Sequence, residues 1–107
     1  MKLFQRDDQV AITGTVTQDY MVLPEHGRVF IDLISVGFIT GTSGRASVGI
    51  LSGGLLFPLV DDYPLSADDQ MLTLYPQIHL DKGDGIRMTV VSTGDQDTVR
   101  SIILGVR

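Results

Sequence analysis

Residues 37–54 read GFITGTSGRASVGILSGG, six glycines among small hydroxyl and β-branched residues, with Arg45 as the single charge. Three readings compete: a phosphate-cradling loop, a nucleophile turn, or the turns of a glycine-rich sheet. A phosphate loop needs G-x-x-x-x-G-K-[ST], because its backbone amides wrap the phosphates and its lysine reaches their outer oxygens. Here Gly41 to Gly44 is too short and Arg45 stands in the lysine's place. No helical period follows to lend an N-terminal dipole. A G-x-S-x-G elbow fails as well, since Ser43 has Arg45 two residues after it and Ser47 has Arg45 two residues before it. The stretch reads as a glycine-rich hairpin and close-packed strands, where missing side chains let backbones approach.

The rest of the chain agrees. In DQVAITGTVTQ, Val10, Ile12 and Val16 alternate with Ala11, Thr13 and Thr15, the period of a half-buried strand. RVFIDLISVGFI is dense in β-branched and aromatic residues. ASVGIL and GLLFPLV are short apolar runs separated by Ser52-Gly53-Gly54. QMLTLYPQIHLD reads as a strand that Pro76 bends or places at an edge. GIRMTVVS and TVRSIILGVR complete the set. Between these runs lie PEHGR, TSGR, SGG, DDYPLSADD, DKGDG and STGDQD, each with the glycine, proline or aspartate that turns need. Roughly eight short antiparallel strands at this spacing predict an all-β chain, a single β-sandwich or jelly-roll-like domain over 1–107. Residues 66–72, SADDQML, are the one place for a helical turn, capped by Ser66.

Composition narrows the function. At 107 residues with 43% hydrophobic content, the chain can bury a core without metal or disulfide, and it contains no cysteine. The start, MKLFQRDDQ, has no apolar signal core and no run approaches a membrane span. A net charge of −5 with scattered basic residues argues against binding nucleic acid by phosphate neutralisation. Twelve of the thirteen acidic residues are Asp and only two residues are Lys, which fits turns rather than helix surfaces. Lys2 and Arg6 make the start a basic-apolar N-terminal arm, residues 1–7, ahead of an acidic body.

Catalytic and metal chemistry find little support. His26 and His79 are the only histidines, so three histidines cannot meet within one chain. Asp7-Asp8, Asp61-Asp62, Asp68-Asp69, Asp81/Asp84 and Asp95/Asp97 fall in loops, yet none matches D-x-[DN]-x-[DN]-G, and turn formation accounts for them. An acid/base pair for glycoside hydrolysis lacks a sugar platform, with no tryptophan and three tyrosines, Tyr20, Tyr63 and Tyr75. The expectation is a protein that is not an enzyme and takes no cofactor.

Apolar surface is the remaining clue. Residues 48–60, VGILSGGLLFPLV, hold eight large apolar side chains in thirteen without clean alternation. Both faces are buried within the monomer, or Leu51, Leu55, Leu56, Phe57 and Leu59 meet a partner. Leu3 and Phe4, flanked by Lys2 and Arg6, pose the same choice for the arm. The arm reading predicts that removing residues 1–6 spares the fold and weakens association tenfold, through contacts that fade with salt.

A short, cysteine-free, Asp- and Gly-rich β chain with LYPQIHLDKGDGIRMTVVSTGD and TVRSIILGVR resembles the small virion proteins of tailed bacteriophages, nearest in kind to the β-sandwich or jelly-roll decoration (cement) proteins of icosahedral heads. The resemblance covers the whole chain in character and carries no diagnostic motif. It implies a non-enzymatic homo-oligomer made in the host cytoplasm that binds major capsid protein on the virion exterior and braces the head, without nucleic acid or membrane as partner. Two other classes stay open. A receptor- or glycan-binding module of a fibre or baseplate would use Tyr20, Tyr63 and Tyr75 as ligand-facing aromatics. A small β-barrel enzyme or metal-binding protein would need the loop aspartates to converge.

Overall fold

The structure, a computed structural model, describes residues 3–40, 43–65, 71–93 and 97–107. Within them the chain forms nine strands and one 3-10 turn: β1 (Leu3–Ile12), β2 (Thr15–Met21), the turn Pro24–His26, β3 (Val29–Thr40), β4 (Gly44–Ser52), β5 (Leu55–Leu65), β6 (Met71–Leu74), β7 (Ile78–Leu80), β8 (Gly85–Ser92) and β9 (Asp97–Val106). Two antiparallel sheets pack face to face. The first runs β1-β9-β3-β6, with β7 also on β3, and the second runs β2-β8-β4-β5. Consecutive strands mostly alternate between sheets, and this nested order is that of a double-sheet jelly roll. Strands β6 and β7 are two halves of one strand, broken around Pro76, which cannot donate to a ladder. Counting the broken strand once gives the eight expected.

Three local features differ from the simple alternation. The DQVAITGTVTQ run is two strands: Gly14 takes φ +82, and the chain crosses there from the first sheet to the second. Val10 and Ile12 thus face the core from one sheet and Val16 from the other. Gln77 holds φ +53 in the break between β6 and β7, and its side-chain amide donates to the Asp32 carbonyl (3.1 Å) and carboxylate (2.6 Å). Asp32 is itself the extra residue of a β3 bulge, so the break in one strand is matched to a bulge in its neighbour. The helical turn expected at 66–72 lies outside the described residues at 66–70, and Met71 and Leu72 open β6.

The core lies between the sheets. Ile31, Ile34, Val36, Phe38 and Ile103 from the first sheet interdigitate with Val48, Ile86, Met88 and Val90 from the second. Phe4 belongs to this core at 3% exposure. The N-terminal arm expected over residues 1–7 is therefore corrected from Leu3 onward: these residues are the start of β1, hydrogen-bonded along β9 from Leu3↔Val106. Burying the Phe4 ring requires the strand, because only alternation places Phe4 inward while Leu3 points out.

Tyr20 is the buried polar exception. Its hydroxyl has no hydrogen-bond partner among the described residues. Ser101 and Asp8 are near enough to act on it, but Ser101 Oγ bonds instead to Gln18 Oε1 at 3.0 Å. Burial pushes the Tyr20 phenol up to about 12. The unfolded chain releases this proton near the ordinary pKa of about 10. The contribution to stability is therefore intact below pH 10 and is lost as pH rises through about 12. Replacement by phenylalanine removes an orphan hydroxyl without stranding a partner. Tyr20→Phe is expected to be neutral to about 1 kcal/mol stabilising at pH 7. Urea midpoints at neutral and strongly alkaline pH check both points, with the variant losing less stability than the parent on alkalinisation.

Candidate interaction surface

Strand β5 is the edge of the second sheet, paired only with β4. The two are joined by Gly53-Gly54, whose φ values of +59 and +77 make the tight hairpin that GG specifies. An edge strand of a sandwich normally buries one face. Here Leu55 (61%), Leu56, Phe57 (51%), Leu59 and Tyr63 are all exposed. Phe57 lies opposite Ile50 and Tyr63 opposite Ala46, so both share the core-facing side of their sheet. Both remain exposed on that side.

On the outer face of the same hairpin, Leu56 lies across Gly49, where an added Cβ would sit 2.7 Å from Leu56 Cδ1. Leu56, Pro58 and Asp61 of β5 and Arg87 of β8 help to line a concavity of about 260 Å³ beside it. Two register shifts bulge β5, one at Leu59 and one at Asp61-Asp62, with Asp62 at φ +52. Ser47 Oγ holds the second bulge by donating to Asp61 Oδ1 (3.1 Å) and accepting from the Asp62 amide (3.0 Å). Prolines 58 and 64 offer no N–H. Prolines, bulges and a charged pair are the devices that keep an edge from adding another strand. The edge is suited to side-chain contacts.

A second apolar area lies on the outer face of the first sheet. Cross-strand neighbours Leu3, Val106 and Phe30 form a row, continued by the Phe30–His79 ring pair at 5.0 Å. Leu104 and Leu33 form the next row, followed by Ile102. Leu3 is 75% exposed, and a cavity of about 290 Å³ opens between it and Leu104. Farther along, Arg100 grips Asp7 through two bonds of 3.0 and 2.8 Å, and Arg87 grips Asp19 on the other sheet at 2.8 and 2.9 Å. Each arginine holds its carboxylate partner below the usual carboxylate range.

The sequence candidates divide accordingly. Leu55, Leu56, Phe57 and Leu59 come together on β5, with Leu51 half-buried opposite Leu56. Phe4 leaves the interface set for the core, its ring edge-on to His26 at 5.1 Å. Arg6 lies over the Phe4 ring at 4.9 Å and donates to the Gln5 carbonyl, so it extends along its own strand. Lys2 is outside the described residues. Tyr20 is corrected from ligand-facing to buried. Tyr63 sits at the opposite edge of its sheet from Tyr20, and exposed Tyr75 lies in the break after β6, so the tyrosines do not share one platform.

The aspartates are engaged singly: Asp32 with Gln77, Asp61 with Ser47, Asp84 with Ser52, and buried Asp97 with Ser92. Among the described residues no three His, Asp or Glu side chains form a metal-holding group; Asp68, Asp69 and Asp95 lie outside them. Phe30, Leu33, Ile102, Leu104 and Val106 were not singled out from sequence. Alternation within β3 and β9 carried the signal, since residues outward from a buried strand should be polar and these are not.

No family model matches the chain, and no curated protein does. Solved structures similar to it include a chain of infectious bursal disease virus, Gx strain, at 11% identity and TM-score 0.45, covering 97% of this chain and 29% of that one. A chain of the Gt strain is similar at 10% identity and TM-score 0.44, over 98% and 32%. The Drosophila NLP-core, described for pentamer formation and histone binding, is similar at 12% identity and TM-score 0.45, over 97% and 99%. This chain spans about a third of the length of the viral chains. At these identities the likeness is one of fold.

Proposed function

We propose that the chain is a non-enzymatic structural protein of a virus particle, a jelly-roll subunit that decorates the outside of a capsid, in its finest form a tailed-bacteriophage head, and braces it by covering apolar surface. The observation that carries this reading is the exposed apolar side chains of β5. Five large apolar side chains on one edge strand are more than an isolated sandwich leaves to water, and such patches mark contacts with other chains. The double-sheet jelly roll is a recurrent capsid architecture, which supports the reading by analogy of fold alone.

Co-sedimentation tests it. Purified protein mixed with decoration-free heads should pellet with them saturably and raise the temperature at which they release DNA. Phe57→Asp should weaken that binding at least tenfold, about 1.4 kcal/mol, while its own unfolding midpoint stays with the parent's. Protein that remains in the supernatant at every ratio would refute a role on such heads.

A further inference from the structure

We propose that β2 is a site of strand addition, and that the strand it takes is β2 of a second copy, antiparallel and centred on Gln18. The proposal is independent of the β5 reading. Among the described residues the sheets end at β1, β2, β5 and the broken strand β6/β7. Three of these edges are guarded. β1 points Arg6 and Asp8 inward, on the side of Phe4 and Ile12. β5 carries Pro58, Pro64 and two bulges. β6 and β7 are 4 and 3 residues long and interrupted at Pro76. Inward charges, prolines, bulges and shortness all keep an edge from pairing. β2 has none of them. Its seven residues, TVTQDYM, pair with β8 without a register shift. Its single charge, Asp19, points outward and is gripped by Arg87 at 2.8 and 2.9 Å.

The backbone fixes which groups this edge offers. At the two ends of the β2–β8 ladder, the Val22 N–H donates to the Asp84 carbonyl and the Ser92 N–H to the Gly14 carbonyl, each at 2.8 Å. Bonded and non-bonded pairs alternate along an antiparallel ladder. Val16, Gln18 and Tyr20 therefore direct their backbone groups to β8, while Thr15, Thr17, Asp19 and Met21 turn theirs to the open edge. A second β2 matches them about a two-fold axis. Centred on Gln18, the register sets Thr15 opposite Met21 of the second copy, Val16 opposite its Tyr20 and Thr17 opposite its Asp19. Every edge-facing N–H and C=O then has a partner. Val16 meets an aromatic ring, a hydroxyl meets a carboxylate, and no like charges stand directly opposite. A slip of one residue opposes edge-facing residues to residues whose groups point at β8, and a slip of two leaves one end of the strand unpaired. The contact joins the two second sheets into one and is isologous, so it closes at the dimer.

Cysteine cross-linking tests the register, since the chain has no cysteine of its own. Across a non-bonded pair such as Gln18 with its copy, the Cα atoms stand about 4.5 Å apart, within the reach of a disulfide. Under mild oxidation Gln18→Cys should form a covalent dimer at least tenfold faster than Thr15→Cys, although Thr15 is the more exposed residue. Sedimentation equilibrium of the wild type should show monomer and dimer and nothing larger. Thr17→Pro removes an edge-facing N–H and no backbone bond to β8, so it should weaken the dimer at least tenfold at the parent's unfolding midpoint. If that midpoint falls, Thr17→Asp takes its place, setting a carboxylate opposite Asp19 of the second copy. A monomeric wild type, equal cross-linking of the two cysteine variants, or a dimer undiminished in the Thr17 variants would each overturn the proposal. Binding to heads by a monomeric wild type would overturn the dimer and leave the structural role standing.

Discussion

Phe4→Ala is expected to cost about 3–5 kcal/mol of folding stability, the usual loss for truncating a buried phenylalanine. The ring is buried between the sheets, against His26 and beneath Arg6. Domains of this size are stable by roughly 5–15 kcal/mol, so the variant stands close to unfolding. Removing residues 1–6 takes the same ring together with the first four residues of β1 paired to β9, and should cost at least as much. The neighbouring Leu3→Asp points into solvent and should shift stability by less than about 0.5 kcal/mol. Urea titrations of the three, read with the parent, check the contrast. Equal stability of Phe4→Ala and the parent would return residues 1–6 to the status of a free arm.

Gly44→Ala should be a strongly damaging single-methyl addition, at about 1–3 kcal/mol or more. A Cβ there would meet the Val91 carbonyl oxygen and lie 2.7 Å from Phe38 Cζ. The carbonyl belongs to the β8 backbone, and Phe38 is fully buried, so neither yields without opening the β4–β8 ladder where it begins. Gly53→Ala meets no atom within 4 Å and pays only for its φ of +59, about 1–2 kcal/mol. Thermal unfolding of both, with a Gly44→Ala/Phe38→Leu double variant, separates crowding from backbone strain. Crowding predicts that the double variant loses less than the sum of the single losses. The six glycines of the opening stretch thus act as packing and turn residues where the structure describes them, Gly41 lying outside the described residues.

Period and punctuation alone determined the all-β class, most strands from β3 onward and the interruption at Pro76. Those signals are local: strand alternation and turn chemistry act within a few residues, so they survive without knowledge of what lies across the core. DDYPL, read as a turn, is instead the second half of β5. Asp7, Asp8 and Asp97, read as loop residues, lie in β1 and β9, because cross-strand pairing can hold aspartates that local turn chemistry would place in loops. The sequence also marked residues 55–59 as an apolar excess. It left open whether they were buried, because that depends on the opposing sheet. Only the tertiary structure decided it, by placing β5 at the edge of the second sheet with Leu55 and Phe57 more than half exposed. The same non-local cause moved Phe4 and Tyr20 inward. Leu3 and Phe4 are equivalent by composition, and Tyr20 resembles Tyr63. Pairing with β9 and β8 fixed which side chain of each strand meets the core. The outward apolar rows of Phe30, Leu104 and Val106 became visible for the same reason, since a patch assembled from three strands exists only once their register is set.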